Sequence, residues 1–328
     1  MARLICAGHA SCDLPFRPVD KRVFDVDTVF VDPVQALTGG DALNATVGLN
    51  KLGMGSQMKF VSVVGDDTWG KLTTDYLVKR DVDISGIIVK PECDSIVTAI
   101  LIDEHNERHF VFSGNSARNI TVEDVVDSFD DDTEYLHIGS FMSLDKLEYE
   151  NCGRLFKVAK DKGIKTSFDV TFDATGDWLK KLQPGLPYTD TFFASYDEAV
   201  CIAGGLTKPE DIARFMRGQG VQNVVLKLGK EGCYATDFTK EVRMPTYLEL
   251  PVVDTTGAGD SFVAGYLFGT LMGYSMEECC LLGNVNGTLA VGSIGANTGS
   301  GTVEQVKDFL RQYGAQTLSA EALIAKLP

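Results

Sequence analysis

The stretch that decides the fold is Asp254-Thr255-Thr256-Gly257-Ala258-Gly259-Asp260-Ser261-Phe262, and the apolar run that follows it, residues 263–268, predicts a helix. Two glycines around one alanine allow successive backbone N–H groups to turn toward a single point, and a helix N-terminus adds the positive end of its dipole there. Gly257, Ala258 and Gly259 therefore predict an anion cradle, which would stabilise the negative charge on a phosphoryl group during transfer.

Asp260 lies at the mouth of this predicted cradle. A carboxylate at that point can accept a proton from an attacking hydroxyl group, as a catalytic-loop aspartate does in other phosphoryl transferases. The structural alternative is a helix N-terminus with glycines for tight packing and an aspartate as its cap. The whole string is more specific than a bare Gly-Ala-Gly-Asp, and it favours phosphoryl transfer.

A second motif lies far upstream and reads Thr38-Gly39-Gly40-Asp41-Ala42-Leu43-Asn44, with a Gly-Asp-Asp-x-x-Gly turn at residues 65–70. Gly39 and Gly40 permit a close approach of the backbone to a ligand hydroxyl, and the Asn44 amide can both donate to and accept from a polyol. A Gly-Gly turn that opens an amphipathic helix describes the same residues structurally. That description does not exclude a ligand at this point.

Together the two motifs resemble the N-terminal and C-terminal signatures of the ribokinase-like (PfkB) carbohydrate and nucleoside kinase family, in the family's order. The resemblance implies an α/β fold with a mostly parallel central sheet flanked by helices and a small β-sheet lid. It also implies transfer of the ATP γ-phosphate to a primary hydroxyl, with Mg²⁺ bridging the phosphates. Asp260 would be the base, and the N–H groups of residues 257–260 would form the anion hole.

The resemblance also assigns binding residues, which fall into three groups. The substrate-side residues are Asp13, Gly39, Gly40, Asp41 and Asn44, with Asn115 as a lid-side contact. The nucleotide-side residues are Lys227, Gly229, Gly232 and Asn284. The metal-side residues are Glu198, which would hold Mg²⁺ through water, and Asp254, Thr256 and Ser293, which match a monovalent-cation site for K⁺.

Several of these assignments have structural alternatives. Asp13 can be a turn residue after a strand, Glu198 an ordinary acid in the first turn of a helix, and Lys227 a solvated lysine at a strand end. Ser195 departs from the family, which usually has asparagine there. The departure leaves a hydroxyl where an amide is expected, so metal use can differ.

The sequence leaves open which class of compound accepts the phosphoryl group. Sugar acid and ketohexose kinases of the family often carry Asp-x-Asn-x-Arg at the position where this chain has Asp169-Val170-Thr171-Phe172-Asp173. The missing arginine favours a neutral sugar, ribose- or fructose-like, over a charged one. A nucleoside kinase stays open, because Phe16, Phe110 and Phe112 can stack on a base or fill the core of the lid. The alternative of another class is a catalytically silent regulator that binds a sugar or nucleotide.

Composition and net charge limit the classes of partner that we expect the chain to bind. The chain has 328 residues, 44% of them hydrophobic, and a formal charge of −16, which disfavours nucleic acids and acidic membranes. No apolar run approaches the roughly 18 residues that a membrane span needs. Eight scattered cysteines predict reduced thiols, and the short apolar stretch at the start is too short for a signal peptide. We therefore expect a cytoplasmic protein with a small-molecule substrate.

Short apolar runs alternate with helical patterns over residues 4–79 and 135–228, which indicates a parallel sheet flanked by helices, and the chain after Asp260 is predicted to be helical to its end. Two segments break the alternation: a predicted strand at residues 23–31, and a hairpin of residues 96–102 and 108–112 around a turn at 103–107. We predict one domain, residues 1–328, with lid segments at about 14–37 and 94–115. A small sheet is marginal alone, so we expect a homodimer through the lid.

Overall fold

The protein is described by a computed structural model that covers residues 2–105, 107–314 and 320–328. Within these ranges the chain forms thirteen β-strands and eleven α-helices. The strands are β1 (Leu4–Gly8), β2 (Ser11–Phe16), β3 (Leu37–Gly39), β4 (Met58–Val64), β5 (Asp83–Val89), β6 (Ile96–Ile102), β7 (Arg108–Ser113), β8 (Tyr135–Phe141), β9 (Lys165–Val170), β10 (Thr191–Ser195), β11 (Asn223–Lys227), β12 (Cys233–Thr236) and β13 (Glu241–Met244). The helices are α1 (Asp41–Leu49), α2 (Thr68–Val78), α3 (Val122–Val126), α4 (Glu150–Asp161), α5 (Leu179–Leu182), α6 (Tyr196–Ile202), α7 (Pro209–Gly218), α8 (Ala258–Leu271), α9 (Met276–Ala290), α10 (Val303–Tyr313) and α11 (Ala320–Lys326).

Nine strands form the large sheet, in the order β13-β12-β11-β10-β9-β8-β1-β4-β5. The seven strands from β11 to β5 are parallel, and β12 and β13 extend the sheet antiparallel. Helices cover both faces, and each face has its own apolar core. Alternate residues of one strand enter opposite cores, as Ile5 and Leu4 do. The predicted α/β class with a mostly parallel sheet is confirmed.

The small sheet has the order β3-β2-β6-β7. Its hairpin of β6 and β7 confirms the predicted one, although Asn106 in the turn lies outside the described residues. The predicted strand at residues 23–31 is wrong: residues Lys21–Phe24 form a 3₁₀ turn, which the Asp20 carboxylate caps at the Arg22 N–H (2.8 Å), and no strand follows before Leu37. The alternation of apolar and polar residues does not indicate a strand here, because the side chains of Phe24 and Phe30 are more than 90% exposed and are not part of a buried sheet face.

Three strands of the large sheet are absent from our prediction, namely β5, β12 and β13. The helical pattern of residues 144–162 predicts a longer helix than the structure has, because Tyr149 has a positive φ of 54° and α4 starts only after it. Four helices follow the cradle as expected, while residues 315–319 lie outside the described part of the chain. All eight cysteines are free, as expected.

Short connections join the two sheets. Only residues 9 and 10 separate β1 of the large sheet from β2 of the small sheet, and Gly40 alone separates β3 from α1. The small sheet is therefore attached at the carboxyl end of a central strand and at the start of a buried helix. This is the edge of the large sheet where ligands bind in open α/β folds. No helix among the described residues is long and apolar enough to cross a membrane.

Candidate active site

A cavity of about 1020 Å³ opens at the carboxyl edge of the large sheet and runs beneath the small sheet. It brings together residues that are far apart in the sequence, because parallel strands all end at this edge. Of the predicted site residues, it is lined by Asp13, Gly40, Asp41, Asn44, Glu198, Lys227, Gly229, Gly232, Thr256, Gly257, Ala258, Gly259, Asp260 and Asn284. Gly39, Asn115, Asp254 and Ser293 do not line it.

The predicted cradle is the N-terminus of α8. Gly257 is the residue before the helix and adopts a left-handed conformation with φ of 74°, which costs glycine little. A Cβ at this position would lie 1.7 Å from the carbonyl oxygen of Ala296, so no larger residue fits. The first N–H groups of a helix have no acceptor within it, and here they line the cavity. The geometry is that of an anion-binding helix terminus.

Asp260 lies in the first turn of α8 and accepts a hydrogen bond from Asn44 Nδ2 (2.7 Å). The amide of Asn44 is itself held, since its Oδ1 accepts from Asn297 Nδ2 (2.9 Å). The second motif therefore contacts the first across 216 residues of sequence. A carboxylate oriented by an amide in a cavity is suited to accept a proton.

Burial raises the pKa of three carboxyl groups at this site. Burial and the charge of Asp41 raise the pKa of Asp260 to about 7. Burial and the charge of Asp169 raise the pKa of Asp41 to about 7. Burial also raises the pKa of Asp169 to about 7, although Lys227 opposes the shift. Because these groups interact, they titrate as a set rather than one by one.

Lys227 at the end of β11 is not a solvated lysine. Its Nζ donates to Asp169 Oδ2 (2.5 Å), and the two side chains are 13% and 3% exposed. A Cβ at Gly259 would lie 3.3 Å from this Nζ, so the ammonium group borders the cradle. Burial lowers the pKa of Lys227, but Asp169, Glu198 and Asp260 outweigh burial and hold it above its usual range. The site therefore keeps one fixed positive charge beside the cradle.

Asp13 lies inside β2 rather than in a turn, and its buried carboxylate accepts from Ser11 Oγ (2.7 Å). Burial raises its pKa. Gly39 on the neighbouring strand β3 is required by this packing, because a Cβ there would lie 2.0 Å from Asp13 Oδ2. Thus Gly39 shapes the position of Asp13 without lining the cavity itself.

Ser195 and Glu198 form a capping box at the start of α6. Glu198 Oε2 accepts from the Ser195 N–H (2.8 Å), and Ser195 Oγ accepts from the Glu198 N–H (3.4 Å). Glu198 is thus a first-turn helix acid that also lines the cavity. Ser195 performs the capping that an asparagine could perform at this place.

Two of the three residues expected at a monovalent cation, Asp254 and Thr256, accept hydrogen bonds from Arg108. Asp254 Oδ1 accepts from Arg108 Nη1 of β7 (2.7 Å), and Asp254 Oδ2 accepts from the Gly295 N–H (2.9 Å). The Arg108 guanidinium also donates to the hydroxyls of Thr255 and Thr256. In this arrangement Asp254 faces a guanidinium where the resemblance implies an ion, so these residues do not fit K⁺.

Two predicted contacts have other partners. Asn115 is exposed, and its Oδ1 accepts from the Asp94 N–H (3.0 Å), while neighbouring Gly114 lines the cavity. Asn284 lines the cavity, and its Nδ2 donates to the carbonyls of Met244 (3.2 Å) and Pro245 (3.1 Å). Both assignments stay predictions.

Three residues at or beside the cavity were missed: Asp169 and Arg118, which line it, and Arg108, which contacts the loop before the cradle. The place of Asp169 at the end of a central strand could have revealed it, because strand ends in a parallel sheet converge. Neither arginine carries a comparable pattern in the sequence.

Comparison with known proteins identifies the family of the chain. Residues 1–302 match the family model described as pfkB family carbohydrate kinase. The chain is 24% identical over 288 residues to a 5-dehydro-2-deoxygluconokinase of Clostridium perfringens, with 84% of each chain covered. It is 25% identical over 316 residues to a nucleoside kinase of Methanocaldococcus jannaschii, covering 95% of this chain and 98% of that one.

Among solved structures, a fructokinase with bound ATP from Xylella fastidiosa has a TM-score of 0.80 at 20% identity, covering 96% of this chain and all of that one. Such a likeness establishes the fold. The family match spans both motifs, the large sheet and the small sheet, and on that basis the chain belongs to the pfkB family of carbohydrate kinases.

Proposed function

We propose that this chain is an ATP-dependent kinase that transfers the γ-phosphate to a primary hydroxyl of a neutral, ribose- or fructose-like sugar. The observation that carries the proposal is the position of Asp260: it lies at the N-terminus of α8, is oriented by Asn44, and faces the cavity beneath the small sheet. A base, an anion cradle and a covered cavity are what phosphoryl transfer to an alcohol requires.

In this mechanism Asp260 orients the acceptor hydroxyl and takes its proton. The N–H groups of residues 257–260 stabilise the transferring phosphoryl group, and Lys227 beside Gly259 adds a fixed positive charge. The small sheet acts as a lid that excludes water and so limits hydrolysis of ATP. The apolar side chains of Leu248, Val252 and Val291 line the other end of the cavity and suit the flat face of adenine.

Mg²⁺ fits the residues present. Asp169 Oδ1 is buried and has no hydrogen-bond partner within the described residues, so it can accept from a metal-bound water. Glu198 lines the same cavity and uses only one oxygen, Oε2, in its capping box. When bound, the ion would offset the charge of the phosphates, and these two carboxylates would hold it through water.

The charge of the cavity wall supports a neutral acceptor. Six aspartates line the cavity, namely Asp13, Asp41, Asp145, Asp169, Asp173 and Asp260. A carboxylated or phosphorylated sugar would be repelled by the ionised members of this set. Arg118 is the guanidinium at this end that could oppose such repulsion, so sugar acids belong in the test.

A nucleoside acceptor is the second candidate, and one observation favours it. Phe110, Phe112 and Phe172 line the cavity yet are 45%, 61% and 72% exposed. Exposed aromatic rings facing a cavity are available to stack on a base. A relative named as a nucleoside kinase matches nearly the full chain.

The exposed apolar side chains of the small sheet and its flanking loop, Phe24, Phe30 and Val111, support a homodimer formed through the lid. A cytoplasmic location remains our expectation.

The test is an ADP-release assay over pentoses, hexoses, dehydrogluconates and nucleosides with Mg²⁺, run beside Asp260→Asn. We expect turnover with a neutral sugar, and a loss of about 10²- to 10⁴-fold in kcat for the variant with its folding unchanged. Turnover confined to nucleosides would support the second candidate. Binding of ATP and a sugar without turnover would overturn the proposal in favour of a catalytically silent regulator.

A further inference from the structure

Arg108 is the first residue of β7 in the small sheet, yet its guanidinium contacts the loop that leads into the cradle of α8. Its Nη1 donates to Asp254 Oδ1 at 2.7 Å, across 146 residues of sequence. The side chains of Arg108 and Asp254 are 25% and 11% exposed, so solvent screens the pair only in part. Hydrogen bonds also reach the hydroxyls of Thr255 and Thr256.

The Asp254 carboxylate accepts from donors on all sides. Its Oδ1 accepts from Arg108, from the Thr256 N–H (2.9 Å) and from Thr256 Oγ1 (2.7 Å), and its Oδ2 accepts from the Gly295 N–H (2.9 Å). A metal ion at this carboxylate would meet the guanidinium at hydrogen-bond distance from the same oxygen, and two like charges so close repel strongly. An ion and Arg108 therefore exclude each other here.

We propose that Arg108 is a positioning residue whose guanidinium supplies, at Asp254, the positive charge that the family resemblance attributes to a monovalent ion. It fixes the loop of residues 254–256 and, through it, the left-handed Gly257 at the start of the cradle. Because Arg108 belongs to the small sheet, the charge arrives only while that sheet covers the cavity. The cradle is thus completed by the same movement that closes the lid. This inference rests on the proposed kinase function.

We therefore expect the activity of the unmodified protein not to depend on the monovalent cation in the buffer. The unmodified protein works equally well in K⁺ and in a bulky cation that cannot enter the loop, such as tetramethylammonium. Removing the guanidinium opens the Asp254 carboxylate to a small cation. Arg108→Ala therefore converts a cation-independent enzyme into one that K⁺ activates.

The experiment compares the wild type, Arg108→Ala and Arg108→Lys in chloride salts of K⁺ or tetramethylammonium at ~0.1 M ionic strength. Arg154→Ala is the matched control, since Arg154 forms an exposed ion pair with Glu123 (2.9 Å) and does not line the cavity. We expect wild type and control to differ by less than about twofold between the salts. Arg108→Ala should lose about tenfold in kcat/KM in tetramethylammonium and regain most of it in K⁺, with Arg108→Lys intermediate.

The second readout needs no turnover. The midpoint of thermal unfolding should respond to K⁺ in Arg108→Ala and not in the wild type, because only an ion that binds the folded state stabilises it. The inference would be overturned if K⁺ activated and stabilised the wild type as much as it activates and stabilises Arg108→Ala. It would also be overturned by an Arg108→Ala protein that K⁺ neither stabilises nor activates. If no acceptor is turned over by the wild type, the kinase proposal fails while the unfolding experiment still decides the role of Arg108.

Discussion

The cradle at the start of α8 and strand β7 of the small sheet are built on different principles. The cradle consists of contiguous residues, and its shape follows from the left-handed Gly257 and the helix that begins after it. Strand β7 is exposed along most of its length and is joined to the cradle loop by the side chain of Arg108. In the proposed kinase, backbone geometry would therefore define the anion site, whereas the cover over it would depend on a few polar side-chain contacts.

The largest expected effect is on the cradle itself. Gly257→Ala should lower kcat by about 10²- to 10³-fold, the loss found when donors to a developing anion are removed, because its Cβ would collide with the Ala296 carbonyl at 1.7 Å. Gly163→Ala is the control, since Gly163 has a similar φ of 78° with open space around it. Steady-state kinetics and circular dichroism measure both variants. Full activity in Gly257→Ala would break the view that backbone geometry defines this region.

A second prediction concerns the buried ion pair beside the cradle. Lys227→Met should lower the free energy of unfolding by about 3 kcal/mol above neutral pH, because the buried Asp169 would lose its partner and would have to take up a proton or stay charged and unpaired. Burial raises the pKa of Asp169 to about 7 already, and without Lys227 it rises further. The folded variant then keeps this proton at pH values where the wild type has lost it, so the variant's loss of stability grows as pH rises above about 7 and shrinks below it.

Urea unfolding at pH 6 and pH 8 measures the effect. Lys157→Met serves as the control, because Lys157 forms an exposed pair with Asp161 on α4 and should change nothing measurable. A loss that is the same at both pH values would mean that Asp169 does not take up the proton.

A further prediction concerns the pH dependence of turnover. Burial and Asp41 raise the pKa of Asp260 to about 7, and a base works only when deprotonated. We therefore expect kcat/KM to fall as pH drops below about 7 and to be level above it. Asp41→Asn removes the like charge and should shift the inflection down by about one pH unit. An inflection unmoved in that variant would show that the two carboxyls do not interact.

The smallest effect on stability is expected in the small sheet. Val111 is 56% exposed and does not line the cavity, so Val111→Asp should change the free energy of unfolding by less than about 0.5 kcal/mol. If the lid pairs with a second copy, the same change should convert dimer to monomer in analytical ultracentrifugation. Val89→Asp on the outer strand β5 is the control. A variant that keeps the wild-type sedimentation coefficient would contradict the lid dimer.

The cradle could be predicted from the sequence more completely than the small sheet. The cradle, Asp260 and the capping box at Ser195 and Glu198 are local patterns, so their geometry can be inferred from spacing alone. The pairing of Asn44 with Asp260 follows once the family resemblance brings the two motifs to one site.

The small sheet could be predicted only in part. Its hairpin carries a local pattern, whereas the alternating residues 23–31 form no strand because no partner strand lies beside them. Arg108 is one of 30 lysines and arginines, and nothing near it in the sequence indicates a contact with Asp254. Long-range side-chain contacts depend on how whole elements pack, which a pattern of neighbours does not contain.

The short connections between the two sheets have a mechanical consequence. With residues 9 and 10 on one side and Gly40 on the other, the proposed closure of the small sheet would hinge beside Asp41 at the cavity. Displacement grows with the distance from a fulcrum, so a small rotation barely disturbs the reacting hydroxyl. Arg108 is five residues, about 17 Å of extended strand, from the end of β7 that returns to the body, and it travels farthest. In the proposed kinase the small sheet would thus act as a lever that keeps the substrate still while its far end, at Arg108, makes and breaks contact.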